Sequence, residues 1–189
     1  VPDLLTTRRA AALPPEERRA AIIEAVRPLL AEHGEAITTR QIACAAGIAE
    51  GTIFRVFADK EELLQATLEA SLDQEPFESA IRAIDPALPF EDQLVEATVL
   101  IQRRVVDVWT LLSHLGPKRH QQVSRPMTDS PALTAIFAAH RTHIRVEPAS
   151  AARLLRALTL SSTHPMIAAE AADPADIVDT LLHGIGGRP

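Results

Sequence analysis

Apolar positions recur at spacings of three and four along most of the chain, and no stretch alternates with a period of two, so the pattern predicts helices and no strands. Ile22, Val26, Leu29 and Leu30 form the first apolar stripe, with Glu24, Arg27 and Glu32 on other faces. Pro14, Pro15, Glu16 and Glu17 supply the proline and acids that suit a helix start, and Gly34 stops the helix. Pro28 falls inside it, where it removes a backbone donor and crowds the carbonyl of Glu24, so a kink is expected there.

A second helix begins at Thr38, an N-cap residue whose capping box is completed by Gln41; Ile42 and Ala45 are expected inside, and Gly47 turns the chain. The third helix is short, Glu50 to Phe57. Its Ile53 and Phe57, four apart, face the core and leave Glu50, Gly51, Thr52, Phe54 and Val56 on the outer faces. Asp59 with Glu62 opens a fourth helix through Leu63, Leu64, Thr67 and Leu68. Helix, tight glycine turn and short second helix make a helix-turn-helix, which presents its recognition helix to the major groove, so DNA is the expected partner.

From Glu75 onward prolines punctuate the helical stretches: Phe77 to Ile84, Phe90 to Leu115, Pro131 to Val146, Pro148 to Thr163 and Pro174 to Leu182. In the longest, Leu94, Thr98, Ile101, Val105, Val108, Leu112 and Leu115 form one stripe, which places that helix at the centre of a second domain. The chain is therefore expected to be all-α: a flexible N-terminal arm over 1–13, a three-helix helix-turn-helix domain over 14–58, a linking helix over 59–74, and a helical effector and dimerisation domain over 75–189.

Composition narrows the function classes. A net charge of −6 argues against a protein that coats nucleic acid without regard to sequence. Residues 1–62 carry eight cations against ten acids, so affinity for DNA has to come from a few well-placed groups. No apolar run reaches the length of a membrane span and the start Val1-Pro2-Asp3 lacks the layout of a signal peptide, so a soluble, cytoplasmic protein with no membrane partner is expected. The lone cysteine, Cys44, excludes a disulfide framework, and amid Ala43, Ala45 and Ala46 it reads as a small residue packed in a helix. No serine nucleophile elbow, glycine-rich phosphate loop or metal-binding His-Glu motif is present, so neither catalysis, cofactor nor metal is expected. His140 and His143, three apart, lack a ligating partner at a suitable spacing and read as exposed histidines; His114 and His120, around a Gly116-Pro117 turn, read the same way.

The run Thr38-Thr39-Arg40-Gln41-Ile42-Ala43, followed by Ala46-Gly47-Ile48, Glu50-Gly51-Thr52-Ile53-Phe54-Arg55, Phe57 and Lys60-Glu61-Glu62-Leu63-Leu64, resembles in order and without gaps the DNA-binding domain of the tetracycline-repressor (TetR) family. Pro174 to Ile185 also resembles the closing helix of such regulators, while residues 77–147 match no motif, as is usual for the family's variable effector domain. The resemblance implies that Thr38, Thr39 and Lys60 touch phosphate, that Arg40 reaches a base edge or phosphate, and that Glu50, Gly51, Thr52, Phe54, Arg55 and Val56 lie in the groove. The chain departs from the pattern at Ala49, where Ser is common and a helix cap is lost; at Phe54, where Tyr is frequent; and at Val56. Gly51 is costly within a helix, and close approach to DNA would explain it. Arg8 and Arg9 of the arm are candidates for a minor-groove or phosphate contact.

The same resemblance implies a repressor released from a palindromic operator by a small effector. Trp109, the one tryptophan in a chain without tyrosine, lies midway along the long helix, where the family's effector pockets open. A hydrophobic ligand is expected among Val105, Val108, Trp109, Leu112, Met127, Leu133 and Phe137. Leu154, Leu155 and Leu158 on one C-terminal helix, with Ile177, Val178, Leu181 and Leu182 on the other, offer more aliphatic surface than a monomer leaves wet, and a palindromic site calls for a twofold protein. These helices are expected to pair in a homodimer. The alternative is a helical DNA-binding interaction or architectural protein with no ligand, which a fully packed second domain would favour.

Overall fold

The computed structural model describes residues 14–114 and 128–185, and these are helical with no strand. The N-terminal arm with Arg8 and Arg9, His120 and Met127 lie outside the described residues. The chain divides into two compact units between Ala70 and Ser71.

The first unit holds α1 (Pro15–His33), a 3-10 turn (Gly34–Ala36), α2 (Thr39–Ala45), α3 (Glu50–Ile53) and most of α4 (Lys60–Leu72). Its core is Ile22, Val26 and Leu30 of α1, Ile37, Ile42, Ile53, Phe57, and Leu63, Leu64 and Leu68 of α4. α1 runs through Pro28 as one helix, so the proline does not interrupt it. The guanidinium of Arg19 ties α1 to α4: it lies 4.4 Å from the Phe57 ring centroid and meets Glu62 Oε1 at 3.2 Å. Further along, Arg27 donates to the carbonyl of Ala70 at 3.1 Å. α1 is thus fastened at two points, and at the first the guanidinium also covers the Phe57 ring.

Three local expectations are corrected. In α2 the inward residues are Ile42 and Ala43, not Ala45, which is exposed along with Cys44. Cys44 is therefore solvent-facing rather than packed. α3 ends at Ile53 rather than Phe57, and the chain closes in turns in which the Val56 and Phe57 N–H groups bond to the Ile53 carbonyl. Phe57 still reaches the core from that turn.

The second unit is built from α5 (Glu75–Arg82), α6 (Phe90–Ser113), α7 (Pro131–Ala139), α8 (Pro148–Ser161) and α9 (Pro174–His183). α6 packs on α5, α8 and α9, so the long helix with the longest apolar stripe does run through this unit's core. Phe77, Ile81, Leu94, Ala97, Ile101, Leu133, Phe137, Leu155, Ile177 and Val178 form that core. Proline sits in the first turn of α5, α7, α8 and α9, where its missing N–H costs nothing. α7 stops at Ala139 instead of reaching Val146, and a 3-10 turn, Arg141–His143, follows. There Arg141 donates to the Ile144 carbonyl at 3.1 Å and pairs with Glu147 at 3.2 Å, which closes the loop into α8.

Candidate functional site

The capping box that opens α2 is formed on both sides. Thr38 N–H donates to Gln41 Oε1 at 2.8 Å and Gln41 N–H to Thr38 Oγ1 at 3.2 Å, while the Thr38 hydroxyl donates to the same Gln41 oxygen at 2.8 Å. Gly47, at φ +63°, makes the turn toward α3; an L side chain rarely adopts that angle, so the residue type is dictated by the fold. At α4 the cap is formed differently from the expected box: Asp59 Oδ1 accepts from Glu62 N–H at 2.8 Å, but Glu62 reaches back to Ala58 N–H at 2.7 Å.

The residues expected to meet DNA are all at least partly open to solvent. Glu50, Gly51, Phe54, Arg40 and Arg55 are exposed, with Thr39, Thr52, Val56 and Lys60 half-buried. Phe54 leaves 48% of its surface open, a large apolar exposure for a domain of this size. Gly51 has an ordinary φ, and a Cβ placed on it would meet no atom within 4 Å. Nothing inside the domain therefore requires glycine there.

Electrostatics separate the cations. Arg19 and Arg27 are held by Glu62 and Glu24, and Lys60 donates to the Glu35 carbonyl at 2.8 Å. Arg40 and Arg55 have no ion pair or hydrogen bond from their guanidinium groups among the described residues. Two full charges with five donors each therefore face water. Thr39 Oγ1 donates to Glu50 Oε1 in a short hydrogen bond that joins the first residue of α2 to the first residue of α3. Sequence reasoning named both residues but missed their bond, which spans eleven positions and leaves no trace in periodicity.

The expected ligand and dimer residues are not grouped as the pattern suggests. Leu133 and Phe137 are fully buried, Phe137 with its ring edge-on to Phe90 at 5.8 Å, and in this packing neither offers surface to a ligand. Val105, Val108, Trp109 and Leu112 remain half-buried along α6. Trp109 meets the ring of His164 at 4.6 Å, and His164 Nδ1 accepts from Met166 N–H at 3.2 Å. A shallow groove of about 310 Å³ lies instead between α5 and α6, lined by Ala80, Ala83, Ile84, Glu96, Val99 and Leu100. On the C-terminal helices, Leu155, Ile177 and Val178 are buried in the protomer's own core and cannot also cover a partner. Leu154 is 51% exposed, and Leu158, Leu181 and Leu182 are half-buried. His140 is not free in water as expected: it stacks on Phe90 at 4.6 Å and lies 3.2 Å from Gln93 Nε2, while His143 is exposed. No group of three His, Cys, Asp or Glu that could hold a metal occurs among the described residues, and no helix there is long and apolar enough to cross a membrane.

Comparison with known proteins agrees with this geometry. Crystal structures of similar fold include a TetR-family transcriptional regulator from Mesorhizobium loti (17% identity, TM-score 0.60, covering 92% of this chain and 95% of that one). A TetR/AcrR-family transcriptional regulator from Thermobifida fusca aligns at 23% identity and TM-score 0.58, over 90% of this chain and all of its own. The TetR-like regulator LfrR from Mycobacterium smegmatis, in complex with proflavine, aligns at 21% identity and TM-score 0.53 over 91% and 99%. At these identities the likeness establishes the fold. Residues 22–67, which include the capped α2, the Gly47 turn and α3, match the family model described as bacterial regulatory proteins, tetR family, so this segment is similar to the DNA-binding domain of TetR-family regulators and the chain around it has their fold.

Proposed function

We propose that this protein is a transcriptional repressor that binds a palindromic operator as a homodimer in the cytoplasm and is released from it by a small hydrophobic ligand. The observation that carries the reading is the pair of unpartnered guanidinium groups, Arg40 on α2 and Arg55 just past α3, in the same helix-turn-helix as the bare Gly51 and the exposed Phe54. In this reading Arg40, Arg55 and Lys60 hold phosphate, Gly51 and Thr52 let the backbone approach the groove, and Phe54 packs on sugar or on a thymine methyl. Thr38 acts through its capping box, which fixes the start of α2.

The dimer surface is proposed for the exposed side of α8 and α9, with Leu154, Leu158, Leu181 and Leu182, while Leu155, Ile177 and Val178 support it from within. The effector is proposed to contact Val105, Val108, Trp109 and Leu112 on α6, with Leu133 and Phe137 as the packed floor beneath. That LfrR, of similar fold, is found with the small molecule proflavine supports an effector of that size. The test compares binding to a duplex selected from a random pool with binding to an unrelated duplex at physiological salt. The reading expects at least a thousand-fold difference, of the order usual for specific regulators, and a dimer by sedimentation at micromolar concentration. Equal affinity for both duplexes, or a monomer, rejects it.

A further inference from the structure

We infer that Glu50 is a specificity-determining residue of the recognition helix, reading the N4 amino group of one cytosine in each half-site, and that Thr39 is its positioning residue rather than a phosphate contact. The inference rests on the DNA-binding reading above and concerns what the two residues do within it.

A hydroxyl has one proton, and that of Thr39 is given to Glu50 Oε1. Phosphate oxygens only accept, so the Thr39 hydroxyl cannot bond to phosphate while it holds Glu50. Glu50 is exposed at the first position of α3, and its Oε2 has no partner among the described residues. A carboxylate in the major groove can only accept, and the donors presented there are the amino groups of cytosine and adenine. Adenine N6 lies between two acceptors, its own N7 and thymine O4, which repel a carboxylate from both sides. Cytosine N4 has an acceptor, guanine O6, on one side only; the other side is the C5–H edge, by which Glu50 can approach. At any other base pair the charge is left desolvated without a partner, so the same residue that favours cytosine penalises the alternatives.

Thr39 gives this reading its direction. A free glutamate has several rotamers, and the bond from α2 selects one, fixing Oε1 and leaving Oε2 free to accept from another donor. Ala49 offers no side-chain cap to α3, so the link from Glu50 to α2 is also the side-chain tie that holds the start of the recognition helix.

The experiment measures relative affinities for all four base pairs at every position of a selected operator, for the wild-type protein and for Glu50→Gln, Thr39→Val and Thr39→Ser. Wild type is expected to prefer C over the other bases by roughly ten-fold at one position per half-site, the size of a single good base contact. Glu50→Gln moves that position toward adenine, which glutamine can pair with bidentately, and leaves the other positions unchanged. Thr39→Val lowers the preference there several-fold with the salt dependence unaltered, and Thr39→Ser restores it. If Thr39→Val weakens binding evenly at all positions and lowers the salt slope by about one, Thr39 is a phosphate contact and the inference fails. Unaltered base preferences in Glu50→Gln overturn the role of Glu50. A wild-type protein without preference at any position overturns the DNA-binding reading itself, which is a separate result.

Discussion

The carboxylate of Glu78, on α5, accepts the backbone N–H of Ala132 at the start of α7 over 2.8 Å, although the two residues are 54 positions apart. Glu78 is buried, and its Oε1 has no hydrogen-bond partner. The α7 start is satisfied twice, since Ser130 also accepts from Leu133 N–H at 3.2 Å. Nearby Arg156 is lowered from its ordinary value first by burial; Glu78 and Asp129 oppose that shift and Arg104 adds to it, and the guanidinium stays a cation at physiological pH. Removing the carboxylate leaves a buried N–H unpaired and the cation less compensated. Glu78→Ala should therefore destabilise the fold by about 1–3 kcal/mol, and Glu78→Gln by less, because its amide oxygen still accepts from Ala132. Urea midpoints of the two variants check this; an unchanged Glu78→Ala midpoint contradicts it.

Gly51→Ala separates folding from function. A Cβ there meets nothing within 4 Å and the backbone angle is ordinary, so the substitution should raise stability by up to about 1 kcal/mol through reduced chain entropy. The added methyl nevertheless projects from the exposed side of α3. Operator affinity is expected to fall at least several-fold while the melting temperature holds or rises. A variant that binds as tightly as wild type would show that DNA does not approach this backbone closely.

The cations should differ in a salt titration. Arg40→Ala and Arg55→Ala each remove a charge with no internal role, so each should weaken binding to any duplex, lower the salt slope by about one and leave stability within about 0.5 kcal/mol of wild type. Lys60→Ala should also weaken binding across sequences, and it should lower stability as well, because its ammonium serves the Glu35 carbonyl. Identical stability for all three variants would mean that the Lys60 bond contributes nothing.

The helix-turn-helix was the most readable part of the sequence. The start of α2 is encoded locally: a capping box needs Thr38 and Gln41 three apart, and Gly47 needs only its own backbone angle. The proline-led helices of the second unit were legible for the same reason, since Pro131, Pro148 and Pro174 mark first turns without reference to distant residues. The end of α7 was not, because the apolar spacing continues to Ile144 and Val146 while Arg141 and Glu147 close the chain into a loop. Periodicity also reports which face is apolar but not what covers it. Leu155 and Leu154 are neighbours on one helix, yet the first is fully buried within the protomer and the second is half open. The bond from Thr39 to Glu50 joins two elements, and single-element patterns carry no record of it.

The last prediction uses Trp109. It is the one tryptophan in the sequence, half-buried on α6 with its ring 4.6 Å from that of His164, so any ligand seated along Val105, Val108 and Leu112 changes the polarity around a single fluorophore. Hydrophobic compounds should therefore shift or quench its emission saturably, and His164→Ala should change the starting emission without altering operator affinity. An effector moves a two-state equilibrium only by its differential affinity, so a ligand that lowers operator affinity a hundred-fold must bind the DNA-free form a hundred-fold more tightly than the DNA-bound form. Titrating Trp109 in the presence and absence of saturating operator measures that ratio directly. Reciprocity requires the two factors to agree. A compound that titrates Trp109 with the same dissociation constant in both conditions binds without coupling, and the ligand-released repressor gives way to a DNA-binding protein that acts without an effector.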